Sequence, residues 1–175
     1  MTMTWNWQAT FWLMLTFFPS ALIHELGHIL AGWAVGARGA TIRFGKPGER
    51  VKWSFGVGAL NFDVHLGLSL WFHAPMARLA QWPRQTAWRR LVFVLGGPAA
   101  SALLFAAFWP GAWADVVWWP AQIATWRDLG QWWGLWGVVV PLFPLRYPSG
   151  HPSDALQVIL LLRDLLRKQQ QQAVL

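Results

Sequence analysis

The chain contains no cysteine among its 175 residues. Disulfide bridges and thiolate zinc sites are therefore excluded, and any metal must be held by His, Asp or Glu. Charge is scarce too: Asp, Glu, Lys and Arg make up 12% of the sequence against 55% hydrophobic residues, a balance too apolar for an ordinary soluble domain. Acidic groups are the rarest, and after Glu25 the only glutamate is Glu49. Residues 1–10 carry no Lys or Arg, and the apolar run behind them lacks a small-residue cleavage pattern, so no removable signal peptide is read there. No internal repeat is found.

Tryptophan is what the chain has in excess, 16 residues scattered widely. Its indole favours the boundary between lipid and water, which points to a membrane protein. The length suggests one domain, 1–168, with a tail at 169–175. The predicted fold class is all-α and multi-span, with spans at 11–36, 91–109 and 130–145. Between the first two, Thr41-Ile42-Arg43-Phe44 and Val51-Lys52-Trp53-Ser54-Phe55 alternate in strand fashion. They predict a small β-hairpin or sheet at the membrane surface over 40–66, turning at 45–50, with a further strand near 61–66. Residues 67–75 are apolar but too short to span, 76–90 read as a polar, basic connection, and 110–128 as a Trp-rich one. Ser153 reads as the N-cap of an amphipathic C-terminal helix over 154–168.

The net charge of +7 comes from basic residues in loops between apolar runs, where they would face anionic headgroups; no nucleic-acid motif accompanies them. The lipid bilayer is thus the predicted partner, and nucleic acid is not. The bias of Lys and Arg toward 38–90 and the C-terminal tail predicts a cell-membrane protein with its N-terminus outside and its C-terminus in the cytoplasm.

The chemistry concentrates in His24-Glu25-Leu26-Gly27-His28, an H-E-x-x-H pattern inside the first apolar segment. Residues four apart share a helix face, so His24 and His28 can grip one ion while Glu25 takes a proton from water. Ionisable groups at membrane depth are expensive and seldom idle. A catalytic zinc usually has three protein ligands. The remaining candidates for the third are Asp63, His65, His73, Asp115, Asp128, His151, Asp154 and Asp164. Asp154 has the best context, since it follows a short proline-broken segment and opens a helix whose free backbone donors favour an ionised carboxylate. His151 is the runner-up.

Taken together the motifs resemble the site-2 protease family of intramembrane zinc metalloproteases, in a minimal form without PDZ or CBS domains. His24-Glu25-Leu26-Gly27-His28 is similar to that family's zinc helix, Gly96-Gly97-Pro98 to its Gly-Gly-Pro element, and Leu142-Phe143-Pro144 followed by Ser153-Asp154 to its Leu-Leu-Pro segment and later Asp-Gly ligand. The resemblance implies one zinc ion on His24, His28 and Asp154, with Glu25 activating water. It places Gly96, Gly97, Pro98, Ser101 and His151 in supporting or substrate-positioning roles. The implied function is hydrolysis of peptide bonds within or near the transmembrane helices of other proteins. Three residues depart from the family pattern: Ser101 and Pro141 replace asparagines, and Ala155 replaces a glycine. These departures favour a second class, a catalytically inactive membrane adaptor that keeps the fold. Glu25, which a binding module does not need, favours the enzyme.

Overall fold

Helix α1, Trp7–Ala34, is stopped by Gly36, whose left-handed backbone (φ 91°) closes the helix end as Ala37 N–H donates to the Gly32 carbonyl at 3.0 Å. The chain then enters β1, Arg38–Phe44. The computed structural model describes residues 7–45, 51–65, 76–82, 86–119, 122–147 and 150–173. Strands β2 (Val51–Val57), β3 (Leu60–His65) and β4 (Met76–Gln81) follow, then helices α2 (Ala87–Ala107), α3 (Trp126–Leu142) and α4 (Asp154–Ala173).

The strands form one mixed sheet in the order β2-β3-β1-β4. A tight turn at Gly58 (φ 60°) folds β3 back antiparallel on β2. That hairpin docks through β3, parallel to β1, with Ile42 opposite Phe62. The other side of β1 takes β4 antiparallel, with Ile42 opposite Ala77. Alternation along β1 turns Ala40 and Ile42 inward, and both are fully buried together with Ile29 of α1. Leu22, Leu26, Phe62 and Leu79 complete this core, so the sheet lies on the C-terminal half of α1, the half that carries the His-Glu-His pattern.

The predicted fold class is corrected here. The protein is not all-α: a four-stranded mixed sheet packs on the helices as part of the same core. The three expected spans are not found either: among the described helices only α2 is long and apolar enough to cross a membrane. The reasons are local. α1 contains Pro19 and carries two histidines and a glutamate, which lower its hydropathy, while α3 is 17 residues long and opens on Trp126-Arg127-Asp128. The expected hairpin is corrected as well: β1 and β2 are both strands, but β3 lies between them. The expected third strand exists as β3, whereas β4 occupies the start of what reads as a polar connection. The turn residues 46–50 and the short apolar run, which ends at 75, lie outside the described residues. Helix α4 extends to Ala173, beyond the expected boundary at 168.

Helices α1, α2 and α3 meet through glycines. A Cβ at Gly27 would run into the Gly96 carbonyl, and one at Gly96 into the Gly27 carbonyl, so α1 and α2 touch backbone to backbone at this level. A Cβ at Gly134 of α3 would meet the Phe105 backbone of α2 in the same way. α3 starts at a reciprocal cap, in which Asp128 N–H donates to Thr125 Oγ1 at 3.2 Å and Thr125 N–H donates to Asp128 Oδ2 at 2.8 Å.

Candidate metal centre

His24 and His28 sit one turn apart on α1, with ring centroids 4.9 Å apart. Each ring is held from behind by α2. His28 Nδ1 lies 2.8 Å from the Phe93 carbonyl oxygen. A carbonyl can only accept, so Nδ1 carries the proton and Nε2 keeps its lone pair. The 3.2 Å approach of Gly97 N–H to the same nitrogen is then a contact, since Nδ1 cannot also accept. His24 Nδ1 lies 2.9 Å from Ser101 Oγ, which accepts when that nitrogen is protonated and likewise frees Nε2. Such outer partners orient metal-ligating histidines and raise their basicity.

Both Nε2 atoms face one carboxylate oxygen from the far end of the chain. Asp154 Oδ2 is 3.2 Å from His24 Nε2 and 3.6 Å from His28 Nε2. The approach is built locally. The Arg146↔Pro152 bridge returns the chain on itself after α3, and Tyr147 N–H donates to the His151 carbonyl at 2.9 Å. Ser153 is buried and ties the ends together: its Oγ donates to the Phe143 carbonyl at 2.6 Å and accepts from Leu156 N–H at 3.3 Å. Asp154 therefore enters α4 at its first turn, where helix N–H groups favour a carboxylate.

Glu25 is buried beside His24, and its Oε2 accepts from Ala77 N–H of β4 at 2.5 Å. His24, Glu25 and His28 form a group that could hold a metal ion, with one ligand atom from each lying within 4.8 Å of the others. The donor chemistry, imidazole nitrogen plus carboxylate oxygen, suits zinc and other borderline divalent ions. Gly97 keeps room in front of those nitrogens. A Cβ there would run into His28 Nε2 and stand 2.6 Å from His24 Nε2. The residues present thus fit a small cation.

A cavity of about 220 Å³ opens on this face, lined among others by Glu25, Ala77, Tyr147, His151 and Gln157. Burial, and then the Asp154 and Glu25 carboxylates, push the Tyr147 hydroxyl up to about 12.

The structure brings together His24, Glu25, His28 and Asp154, with Gly97 and Ser101 against the imidazoles and His151 on the cavity wall. Gly96 and Pro98 sit in the α1–α2 contact and the buried face of α2. The other third-ligand candidates go elsewhere. Asp63 accepts from Ser54 Oγ and pairs with Arg43 within the sheet, and His65 is buried in β3. Asp128 caps α3, Asp115 lies in a 3-10 turn, and Asp164 lines a separate cavity beside Arg90. His73 lies outside the described residues. Sequence reasoning missed Tyr147, Gln157, Ala77 and Phe93. Tyr147 is the only tyrosine and Gln157 follows Asp154 by three on its helix, so both left a signal. Ala77 and Phe93 act through backbone atoms and left none. Compared with known proteins, the chain matches no family model and no curated sequence.

Proposed function

We propose that the chain is a zinc metalloendopeptidase of the site-2 protease type, hydrolysing peptide bonds within or next to the membrane-embedded segments of other proteins. One observation carries the reading: a carboxylate oxygen 130 residues beyond His24 lies 3.2 Å and 3.6 Å from two imidazole nitrogens of α1, with a buried glutamate alongside. His24, His28 and Asp154 would hold the ion. When bound, zinc supplies Lewis acidity, which lowers the pKa of water and polarises a carbonyl.

The chain's own residues supply the rest. Glu25 is the general base; it takes a proton from water and returns it to the leaving amine. The Ala77 N–H fixes Oε2, which leaves Oε1 as the oxygen that moves the proton. Ser101 and the Phe93 carbonyl keep the two rings in register. Tyr147 remains a hydroxyl donor across the neutral range and, with His151, lines the chamber where negative charge develops on the substrate oxygen. The apolar α2 supports a location at the cell membrane.

The test uses purified full-length protein and a reporter with a single transmembrane segment. Wild type should hold one zinc per chain and cleave the reporter. E25Q should keep the zinc and lose cleavage by at least about 1000-fold, more than the roughly 100-fold to 10,000-fold range's lower end for a general base. Cleavage persisting in E25Q, or wild type without stoichiometric metal, would overturn the proposal.

A further inference from the structure

Asp154 meets the two imidazoles through Oδ2 alone. Its other oxygen, Oδ1, accepts one side-chain hydrogen bond among the described residues, from Gln157 Nε2 at 3.5 Å. Gln157 lies three residues further along α4, a spacing at which Gln and Asp side chains meet on a helix face. The same nitrogen donates to the Pro152 carbonyl at 3.3 Å. A carbonyl can only accept, so the amide turns its NH2 group, and not its oxygen, toward Pro152 and Asp154. One NH2 group therefore ties the loop before α4 to the carboxylate that opens the helix. A second observation concerns the setting of Gln157. It is half-buried and lines both the metal chamber and a neighbouring cavity of about 450 Å³, where its helix neighbours are Leu160 and Leu161. The packing there is satisfied by apolar side chains, and the amide is spent on Pro152 and Asp154.

We propose that Gln157 is the positioning residue that restricts Asp154 to one metal-facing oxygen, and so tilts the site toward zinc and away from ions that prefer oxygen, such as manganese. The inference rests on the metal site of the peptidase reading and not on peptide hydrolysis. A carboxylate can hold an ion through one oxygen or through both. One oxygen and two imidazole nitrogens leave a place for water in the four-coordinate arrangement that zinc favours. Two carboxylate oxygens raise both the coordination number and the share of oxygen, which suits manganese better. With Oδ1 held by the Gln157 amide, that second mode is opposed. Gln157 thus acts through Asp154.

The experiment uses purified full-length protein stripped of metal. Zinc and manganese affinities are measured by chelator competition for wild type, Gln157→Met and Gln157→Lys. Methionine keeps the length and helix propensity of glutamine and removes the donor; lysine keeps a donor. Gln157→Met should lower zinc affinity by about 10-fold, within the range for outer partners of a metal ligand, and leave manganese affinity within about threefold. Gln157→Lys should retain the wild-type ratio of the two affinities. The cobalt-loaded Gln157→Met protein should show weaker visible absorption than cobalt-loaded wild type, as a four-coordinate ion gives way to a five-coordinate one. A merely structural role would weaken both ions alike and leave the cobalt spectrum unchanged. Zinc affinity unmoved by Gln157→Met, an equal loss of zinc and manganese, or Gln157→Lys behaving as Gln157→Met overturns the inference. The expected metal behaviour in a protein that never cleaves a reporter would sink the peptidase reading and leave the role of Gln157 standing.

Discussion

Two chambers meet at His24 and Glu25, and they differ in every property that matters for chemistry. The smaller, about 220 Å³, is lined by titratable and polar groups: Glu25, His28, Tyr147, His151, Asp154 and Gln157. The larger, about 410 Å³, is walled mainly by indole and phenyl rings. One side concentrates the groups that can bind a cation and move protons; the other offers apolar area. Work is divided across one helix turn because successive α1 side chains point in different directions: position 28 lines only the polar chamber, and position 21 only the apolar one.

Breaking the polar chamber should cost most. In Gly97→Ala the new Cβ meets His28 Nε2, so stoichiometric metal should be lost by elemental analysis while the circular dichroism of the metal-free protein is retained. Alanine suits a helix better than glycine by about 1 kcal/mol, so the metal-free melting point should not collapse. Next comes Asp154→Asn, which removes an anionic oxygen facing both rings. Zinc affinity measured by competition with a chelator should fall by about 100-fold or more, beyond the roughly 10-fold to 100-fold typical of outer-sphere changes.

Ser101→Ala sharpens the contrast between the two rings. It strips the partner of His24 and should lower zinc affinity by roughly 10-fold to 100-fold. No side-chain substitution can do the same at His28, whose partner is a backbone carbonyl.

The pH response of the polar chamber is smaller still. With the Tyr147 hydroxyl at about 12 in the folded protein and at about 10 when unfolded, its contribution to stability is complete below pH 10 and is lost as pH rises through about 12. Tyrosinate absorbance of the chelator-treated protein should therefore stay flat to about pH 11. Removing the Asp154 charge should draw that midpoint downward. The smallest effect belongs to neither chamber. Asp63→Asn alters a surface contact with Ser54 and Arg43, and should shift stability by at most about 1 kcal/mol with no change in bound zinc.

Legibility in the sequence followed the range of the interaction. His24, Glu25 and His28 could be read because a four-residue spacing is one helix turn. Ser153 and Asp154 carried the local marks of a helix start, and the structure has α4 begin there. The sheet was half legible. Alternation revealed β1 and β2, but pairing did not follow, since the β2–β3 hairpin turns at Gly58 and then docks beside β1. β4 escaped because Arg78, Arg84, Arg89 and Arg90 make 76–90 read as a basic connection, yet Ala77 and Leu79 pack on the core while Arg78 is exposed. Apolar content overstated the number of spans, because tryptophan is amphipathic and serves here as wall material between helices.

By itself the sequence determined the pair of imidazoles and the glutamate between them, the exclusion of thiolate ligation, and the glycines that let helices touch. Those are consequences of composition and of spacing within one turn. Tertiary structure alone decided how closely Asp154 meets both imidazoles, which strand holds Glu25 in place, and that tryptophans from two segments line a chamber behind it. The physical reason is that these contacts join groups far apart in sequence, and their geometry exists only after the helices and the sheet have packed on one another.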